Sequence, residues 1–103
     1  MYYFMVDVEF VHKIVKGRVV ARPISGKVLV NPDPEKTPIT HDTIDGAREL
    51  AKRLAMRLGK DVFIIDDEGY IVEVIRYEEL KLTEAPVVIH PIELEKFEKL
   101  VVE

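Results

Sequence analysis

The sequence predicts an α+β domain: an antiparallel sheet of five or six strands, one long helix packed on one face, and a short C-terminal helix. Three observations lead to this prediction. Apolar and polar residues alternate over residues 2–15, as in a strand. Residues 44–58 carry apolar side chains at helical spacing. Two further apolar runs, 61–65 and 70–77, flank a turn. The chain has 103 residues, a length that suits a single domain over 1–103.

The N-terminal third is predicted to form three strands. The first covers residues 2–15, where a period of two places one apolar face and one mixed face on the strand. Gly17 can adopt a positive φ, so we expect the chain to turn there into a second strand over 18–22. Pro23 interrupts that ladder, and residues 27–30 follow as a third short strand.

A proline-rich loop and the long helix come next. Three prolines exclude a helix or a central strand from residues 31–42. The helix is predicted to start between Thr40 and Thr43 and to run to Leu58, with Gly59 as its left-handed end. Gly46 lies inside the helix. It either permits close approach of a neighbouring backbone or is a tolerated residue that costs about 1 kcal/mol relative to alanine.

The strands predicted at 61–65 and 70–77 are apolar on both sides. Such strands are normally covered on both sides, and the one long helix packs on only one of them. We therefore expect the C-terminal segment, a neighbouring subunit, or both to cover the second side. The residues predicted to form this contact surface are Val62, Ile64, Ile71, Ile75, Phe97, Leu100 and Val101.

The C-terminal segment is predicted to add a strand and a helix. Residues 86–90 form the sixth strand, and Pro91 suits the first position of the short helix. The apolar stripe of that helix consists of Leu94, Phe97, Leu100 and Val101.

Composition narrows the function classes. The chain has no cysteine, which excludes a disulfide framework, a zinc-thiolate site and a thiol nucleophile. It also has no glutamine and a single serine, Ser25, which disfavours a serine hydrolase. Few thermolabile side chains among many Glu and Lys are typical of hyperthermophile proteins. No apolar stretch reaches the length of about 20 residues that spans a membrane, and no cleavable leader is present, so we expect a cytoplasmic protein.

The histidines invite a metal or enzyme hypothesis. His12, His41, Asp42 and His90 show no ligand spacing such as His-x-x-x-His on a helix, and we expect neither a metal nor another cofactor. The acidic turn 66–69 is too short for a calcium loop, whose ligands spread over about twelve residues. A small enzyme with a site near His41 and Asp42 remains an alternative, and it predicts a pocket that the proline-rich loop helps to line.

Basic residues are concentrated on the first three strands. A two-stranded ribbon can enter a DNA groove, although the whole protein is acidic, with a net charge of -4, and nucleic-acid binding relies on positive fields. The residues predicted for this alternative contact are Lys13, Lys16, Arg18, Arg22 and Lys27.

The stretch from Gly26 to Tyr77 resembles two groups of small domains. One is a family of uncharacterised bacterial and archaeal proteins, which the chain resembles in Gly26-Lys27-Val28-Leu29-Val30, in a helix started by Thr43 that contains Ala47-Arg48-Glu49-Leu50-Ala51, and in the turn Asp66 to Gly69. The other is the HicB-like antitoxin domain, a β-β-β-α-β unit similar to the three strands and the helix to Leu58. The chain lacks the proline-glycine segment of that family. No DNA-binding tail is evident either, and the two resemblances imply the strand–helix–strand order alone.

The sequence thus favours a non-enzymatic interaction module of a hyperthermophile, acting as a homodimer through the second apolar side of the sheet. A nucleic-acid-binding or antitoxin-like regulator that uses the basic ribbon is the first alternative, and the small enzyme is the second.

Overall fold

The computed structural model describes residues 1–82 and 101–102. It confirms the α+β class. In chain order the elements are β1 (Tyr2–Val15), β2 (Arg18–Val30), β3 (Thr40–His41), α1 (Ile44–Leu58), β4 (Val62–Ile65), β5 (Ile71–Ile75), α2 (Tyr77–Lys81) and β6 (Val101–Val102). The strands are antiparallel and lie in the order β3-β1-β4-β5-β2-β6.

The long helix α1 has the ends that the sequence predicts. The Thr43 hydroxyl accepts a hydrogen bond from the Gly46 N–H at 3.1 Å, which satisfies one of the free donors of the first turn. Gly59 follows the last turn with a φ of 66° and donates its N–H to the Ala55 carbonyl. The face turned to the sheet carries the buried residues Ala47, Ala51, Leu54 and Ala55.

Four of the strands pair with one another in a closed ring. β1 pairs with β2 along most of its length and with β4 over Tyr3–Met5. β4 pairs with β5, and β5 returns to β2 where Ile71 lies opposite Ala21. One side of this closed sheet packs against α1 through residues such as Phe4, Val6, Leu29 and Ile64. The other side encloses a second core of Met5, Phe63 and Ile65.

Two compensating bulges bend the β1–β2 hairpin. Val6 lies opposite Lys27 but Glu9 lies opposite Ser25, so β1 has one extra residue in this interval. Phe10 then lies opposite Pro23, so β2 has one extra residue before the original register returns. A bulge bends its strand and increases the local twist. Together they carry the hairpin across the second side of the sheet, where the Phe10 and Phe63 rings are 6.0 Å apart.

This bend corrects the expectation that the tail or another subunit covers the second side. Phe63 is 8% exposed and Ile65 is fully buried within the chain itself, because the hairpin supplies the cover through Val8 and Val28. Unbroken alternation over 2–15 would turn Val8 the same way as Phe4. The bulge at Asp7 reverses the side, so Phe4 faces α1 and Val8 faces the second core.

The predicted contact surface is corrected in the same way. Val62 and Ile64 have no exposed surface and lie in the core under α1, so they are closed to any partner. Ile71 and Ile75 are half-buried against the two cores. Phe97 and Leu100 lie outside the described residues, and Val101 lies in β6 opposite Val30.

Several element boundaries also differ. β2 is one strand over 18–30 and not two, because the bulged ladder continues past Pro23. β5 ends at Ile75 and is followed by the short helix α2, which the sequence did not predict. The first N–H of α2, on Tyr77, donates a hydrogen bond to the Asp61 carboxylate at 2.9 Å. The strand predicted at 86–90 lies outside the described residues. So does the helix predicted from Pro91, except at Val101, which is in a strand.

Candidate functional site

Beyond the bulges the hairpin continues as a ribbon, residues 9–24, which we call the arm. Of the eight large apolar side chains that are exposed in the described residues, five lie on it: Phe10, Val11, Ile14, Val19 and Ile24. Ile14 and Val19 are direct cross-strand partners, and they are 77% and 69% exposed. The arm therefore presents a contiguous apolar patch to solvent at its far end.

The sequence of the turn explains why the arm is a regular ribbon. Lys16 and Gly17 both have a positive φ, 51° and 77°, as in the type I′ turn whose twist matches that of the strands. Val15 and Arg18 close the two-residue turn. Hydrogen-bonded and non-hydrogen-bonded pairs alternate from there, which places Pro23 in a non-hydrogen-bonded pair where its missing N–H costs β1 nothing.

The two faces of the arm differ in character. The inner face, which begins at the second core, carries Phe10, His12 and Ile14 on β1 with Val19 and Ala21 on β2. The outer face combines apolar and basic side chains: Val11, Lys13 and Val15 on β1 with Arg18, Val20 and Arg22 on β2.

The structure brings together four of the five basic residues predicted for nucleic-acid contact. Lys13, Lys16, Arg18 and Arg22 are all exposed on the arm, and no acidic residue occurs between Phe10 and Pro32. Lys27 is not part of this cluster. It lies near the base of the hairpin, with its ammonium 3.9 Å from the Asp7 carboxylate.

A cleft opens at the base of the arm where β1 bulges. Its volume is about 500 Å³. Among its lining residues are four carboxylates and one lysine: Asp7, Glu9, Asp61, Glu78 and Lys60. We call it the acidic cleft. The Lys60 ammonium lies 2.9 Å from the Asp7 carboxylate, and that hydrogen bond holds the pKa of Asp7 below its ordinary value.

A larger cavity of about 730 Å³ separates the arm from the β4–β5 turn. Its lining has charges of both signs, including Arg18 and Glu68. Asp66 is committed to the turn, because its carboxylate accepts the N–H groups of Glu68 and Tyr70 at 3.0 and 2.9 Å. Asp66 thus has a structural use in this turn. The described residues contain no group of three or more side chains that could hold a metal ion.

His41 also has a structural role. Its Nδ1 accepts the N–H of Thr43 at 3.2 Å, beside the Asp42 carboxylate at 3.3 Å. The imidazole lies against Gly46 so closely that any Cβ there would overlap it. The close approach that Gly46 permits is therefore that of a side chain. His12 belongs to the arm and the larger cavity, so the structure does not bring it together with His41.

The bulge and the acidic cleft are the features that the sequence analysis missed. Asp7 has a φ of 54°, a conformation that aspartate tolerates better than most residues. A polar Asp within an otherwise apolar run, with a Ser-Gly pair opposite it, is the available signal. It is too common to identify a bulge by itself.

Comparison of the chain with family models, with curated proteins and with solved structures finds no match. The resemblance of residues 26–77 to two groups of small domains therefore stays a prediction. No described helix is both long and apolar enough to span a bilayer. Among the described residues, the arm carries most of the exposed large apolar side chains and is the surface that bears on function.

Proposed function

We propose that the chain is a non-enzymatic interaction module, a cytoplasmic protein of a hyperthermophile, and that it works as a homodimer through the arm. The observation that carries this proposal is the Ile14–Val19 pair, which is exposed at the far end of a projecting ribbon. Single exposed apolar residues are ordinary, whereas a contiguous apolar patch marks a site of association. The arm replaces the second side of the sheet as the contact surface.

Burial of the patch has an appreciable driving force. Covering a large aliphatic side chain completely is worth about 1.5–3 kcal/mol, so the Ile14–Val19 pair from each of two subunits can anchor a dimer. The four cations of the arm lie on its outer face and in its turn, where they disfavour association with unrelated surfaces, as charges on exposed strands do. The apolar patch on one face and the cations on the other together favour a specific partner.

The proposed thermophilic origin is supported by composition and by the surface. Arg48 bridges α1 and β5 through Glu73 at 2.6 Å and also contacts Asp45 at 3.1 Å. The desolvation penalty of such ion pairs falls with temperature. A midpoint of thermal unfolding in the mesophilic range would contradict this part of the proposal.

Sedimentation velocity over a concentration series tests the dimer. We expect the wild type to sediment as a dimer at micromolar concentration, and the double variant Ile14→Thr/Val19→Thr to sediment as a monomer. Threonine keeps the β-branched shape that suits a strand. Val72→Thr is the matched control, since Val72 is exposed to 45% but lies on β5. A wild type that stays monomeric contradicts the homodimer.

Nucleic-acid binding is the second candidate, and one observation favours it. Four exposed cations lie on a two-stranded ribbon whose only acidic residue is Glu9 at its base, and a ribbon of this shape fits a DNA groove. We expect salt-dependent binding to duplex DNA that Arg18→Glu/Arg22→Glu abolishes. Arg76→Glu is the control, because Arg76 is exposed outside the arm. Absence of binding at low salt removes this candidate.

A further inference from the structure

We infer that the arm binds a second copy of itself edge to edge, with β1 antiparallel to β1 of the partner about a two-fold axis at Val11. This inference rests on the proposed function and deepens it. It specifies which backbone edge, which register and which charges the homodimer uses.

The first step is the open edge of β1. On one side β1 pairs with β2 as far as Val15, and on the other it pairs with β4 only over Tyr3–Met5. Within the described residues, no strand lies beside Glu9 to Val15 on that second side. An edge of this kind presents unpaired N–H and C=O groups and is a template for another strand.

The second step is the direction of those backbone groups. Val15 forms the hydrogen-bonded pair that closes the two-residue turn with Arg18, and bonding residues alternate from there. Val11 therefore bonds inward to β2, whereas Phe10 and His12 point their backbone groups to the open edge. A two-fold axis at Val11 places Phe10 opposite the partner's His12. The backbone N–H and C=O groups on the open edge of each strand then face those of the other strand.

The third step is charge, which selects this register over its neighbours. With the axis at Val11, Glu9 lies opposite the partner's Lys13, and the symmetry repeats the pair. An axis at Lys13 would place two lysines opposite each other, which is destabilising. Within the described residues neither Glu9 nor Lys13 makes an ion pair, so both charges are available for the interface.

The fourth step is the contact between the turn of one arm and the base of the other hairpin. Antiparallel pairing carries the partner's turn towards the base of the hairpin, beyond Asp7. There the cationic Lys16 and Arg18 of one subunit approach the acidic cleft of the other, whose lining has four carboxylates and one lysine. The same register sets Val8 opposite the partner's Ile14, which covers part of the exposed patch. Complementary charge and apolar contact thus coincide on one self-complementary surface.

Charge reversal tests the register. Glu9→Lys and Lys13→Glu each turn two attractive pairs into two repulsive ones, so we expect either variant alone to dimerise roughly tenfold more weakly or worse. Mixing the two restores both pairs, and we expect a heterodimer at wild-type affinity. The double variant Glu9→Lys/Lys13→Glu recovers the homodimer for the same reason. If mixing restores nothing, the register is wrong.

Crosslinking gives an independent measurement. The chain has no cysteine, so Val11→Cys introduces a single thiol. In a non-hydrogen-bonded antiparallel pair the Cα atoms are about 4.5 Å apart, within the range of a disulfide. We expect mild oxidation to give a covalent dimer on a non-reducing gel. The matched control Val72→Cys, of similar exposure on β5, stays uncrosslinked.

The outcomes separate this inference from the proposed function. If the reduced Val11→Cys variant sediments as a dimer but forms no disulfide, the register at Val11 is overturned and the arm-mediated homodimer stands. If the wild type is a monomer throughout, both are overturned. Circular dichroism of each variant verifies its fold, and the mixing experiment does not depend on the thiol.

Discussion

The arm and the rest of the described residues, which we call the base, share strands β1 and β2 but differ in how deeply their side chains are buried. Every large side chain that is fully buried among the described residues lies in the base: Phe4, Val6, Leu29, Leu54, Val62, Ile64 and Ile65. No residue of the arm, 9–24, is buried. The change occurs within one strand, at the Asp7 bulge, and it teaches that strand content alone does not tell which part of this chain specifies the fold.

Because of this difference, we expect the base to determine stability and the arm to determine association. Local stability follows buried apolar contacts, so the base is expected to unfold only with the whole molecule while the arm opens at lower cost. Substitutions in the base should act on the free energy of unfolding. Substitutions in the arm should act on association.

The largest effect is expected in the base. Leu54→Ala removes a fully buried side chain between α1 and the sheet, and such truncations cost about 2–5 kcal/mol. Ile14→Ala removes a side chain that is 77% exposed, and its cost should stay within about 0.5 kcal/mol. Urea unfolding of both variants at a concentration where the protein is monomeric measures the two values. Equal losses would break the distinction between base and arm.

The second effect, also in the base, is that of Gly46→Ala. Alanine favours a helix by about 1 kcal/mol over glycine, but its Cβ would overlap the His41 ring. Overpacking costs about 1–3 kcal/mol, so we expect net destabilisation in denaturant unfolding. In a His41→Ala background the clash is gone, and the same Gly46→Ala change should stabilise. A gain in both backgrounds would show that the ring moves aside freely.

The N-cap of α1 provides the third effect. Thr43→Ala removes the hydroxyl that accepts the Gly46 N–H, and loss of a cap costs about 1 kcal/mol. Thr43→Ser keeps the acceptor and should unfold close to the wild type. If Thr43→Ser loses as much unfolding free energy as Thr43→Ala, the effect comes from the threonine methyl group and not from the hydroxyl.

The elements were largely predictable from the sequence, including strand β1 over 2–15 and the turn at Gly17, whereas the course of the hairpin was not. Thr43 and Gly59 are local signals for the two ends of α1, and the structure places both as predicted. The course of the hairpin depends on two bulges, each of which moves the register by one residue. Two registers of β1 against β2 that differ by one residue suit the local sequence almost equally well. The side of the sheet that Val8 faces is therefore decided by tertiary packing. The same bulges produce the acidic cleft, so no sequence motif could predict it.

The smallest effect is expected at the junction of arm and base, where Asp7 meets Lys60. The hydrogen bond from Lys60, opposed by partial desolvation, lowers the pKa of Asp7 from its ordinary value of 3.8. The folded state therefore binds its proton less readily than the unfolded state. The stabilisation is complete above the unfolded pKa and is lost as the pH falls through the folded one.

Asp7→Asn keeps a side chain that tolerates the positive φ but removes the charge. Denaturant unfolding should thus show the wild type slightly more stable than Asp7→Asn at neutral pH, and the difference should vanish in acid below the ordinary value. Lys60→Met should remove most of the same pH dependence, because Lys60 is the main cause of the lowered pKa of Asp7 and Lys27 a smaller one. A difference that persists in acid would mean that the junction is held by the shape of the bulge and not by its charge.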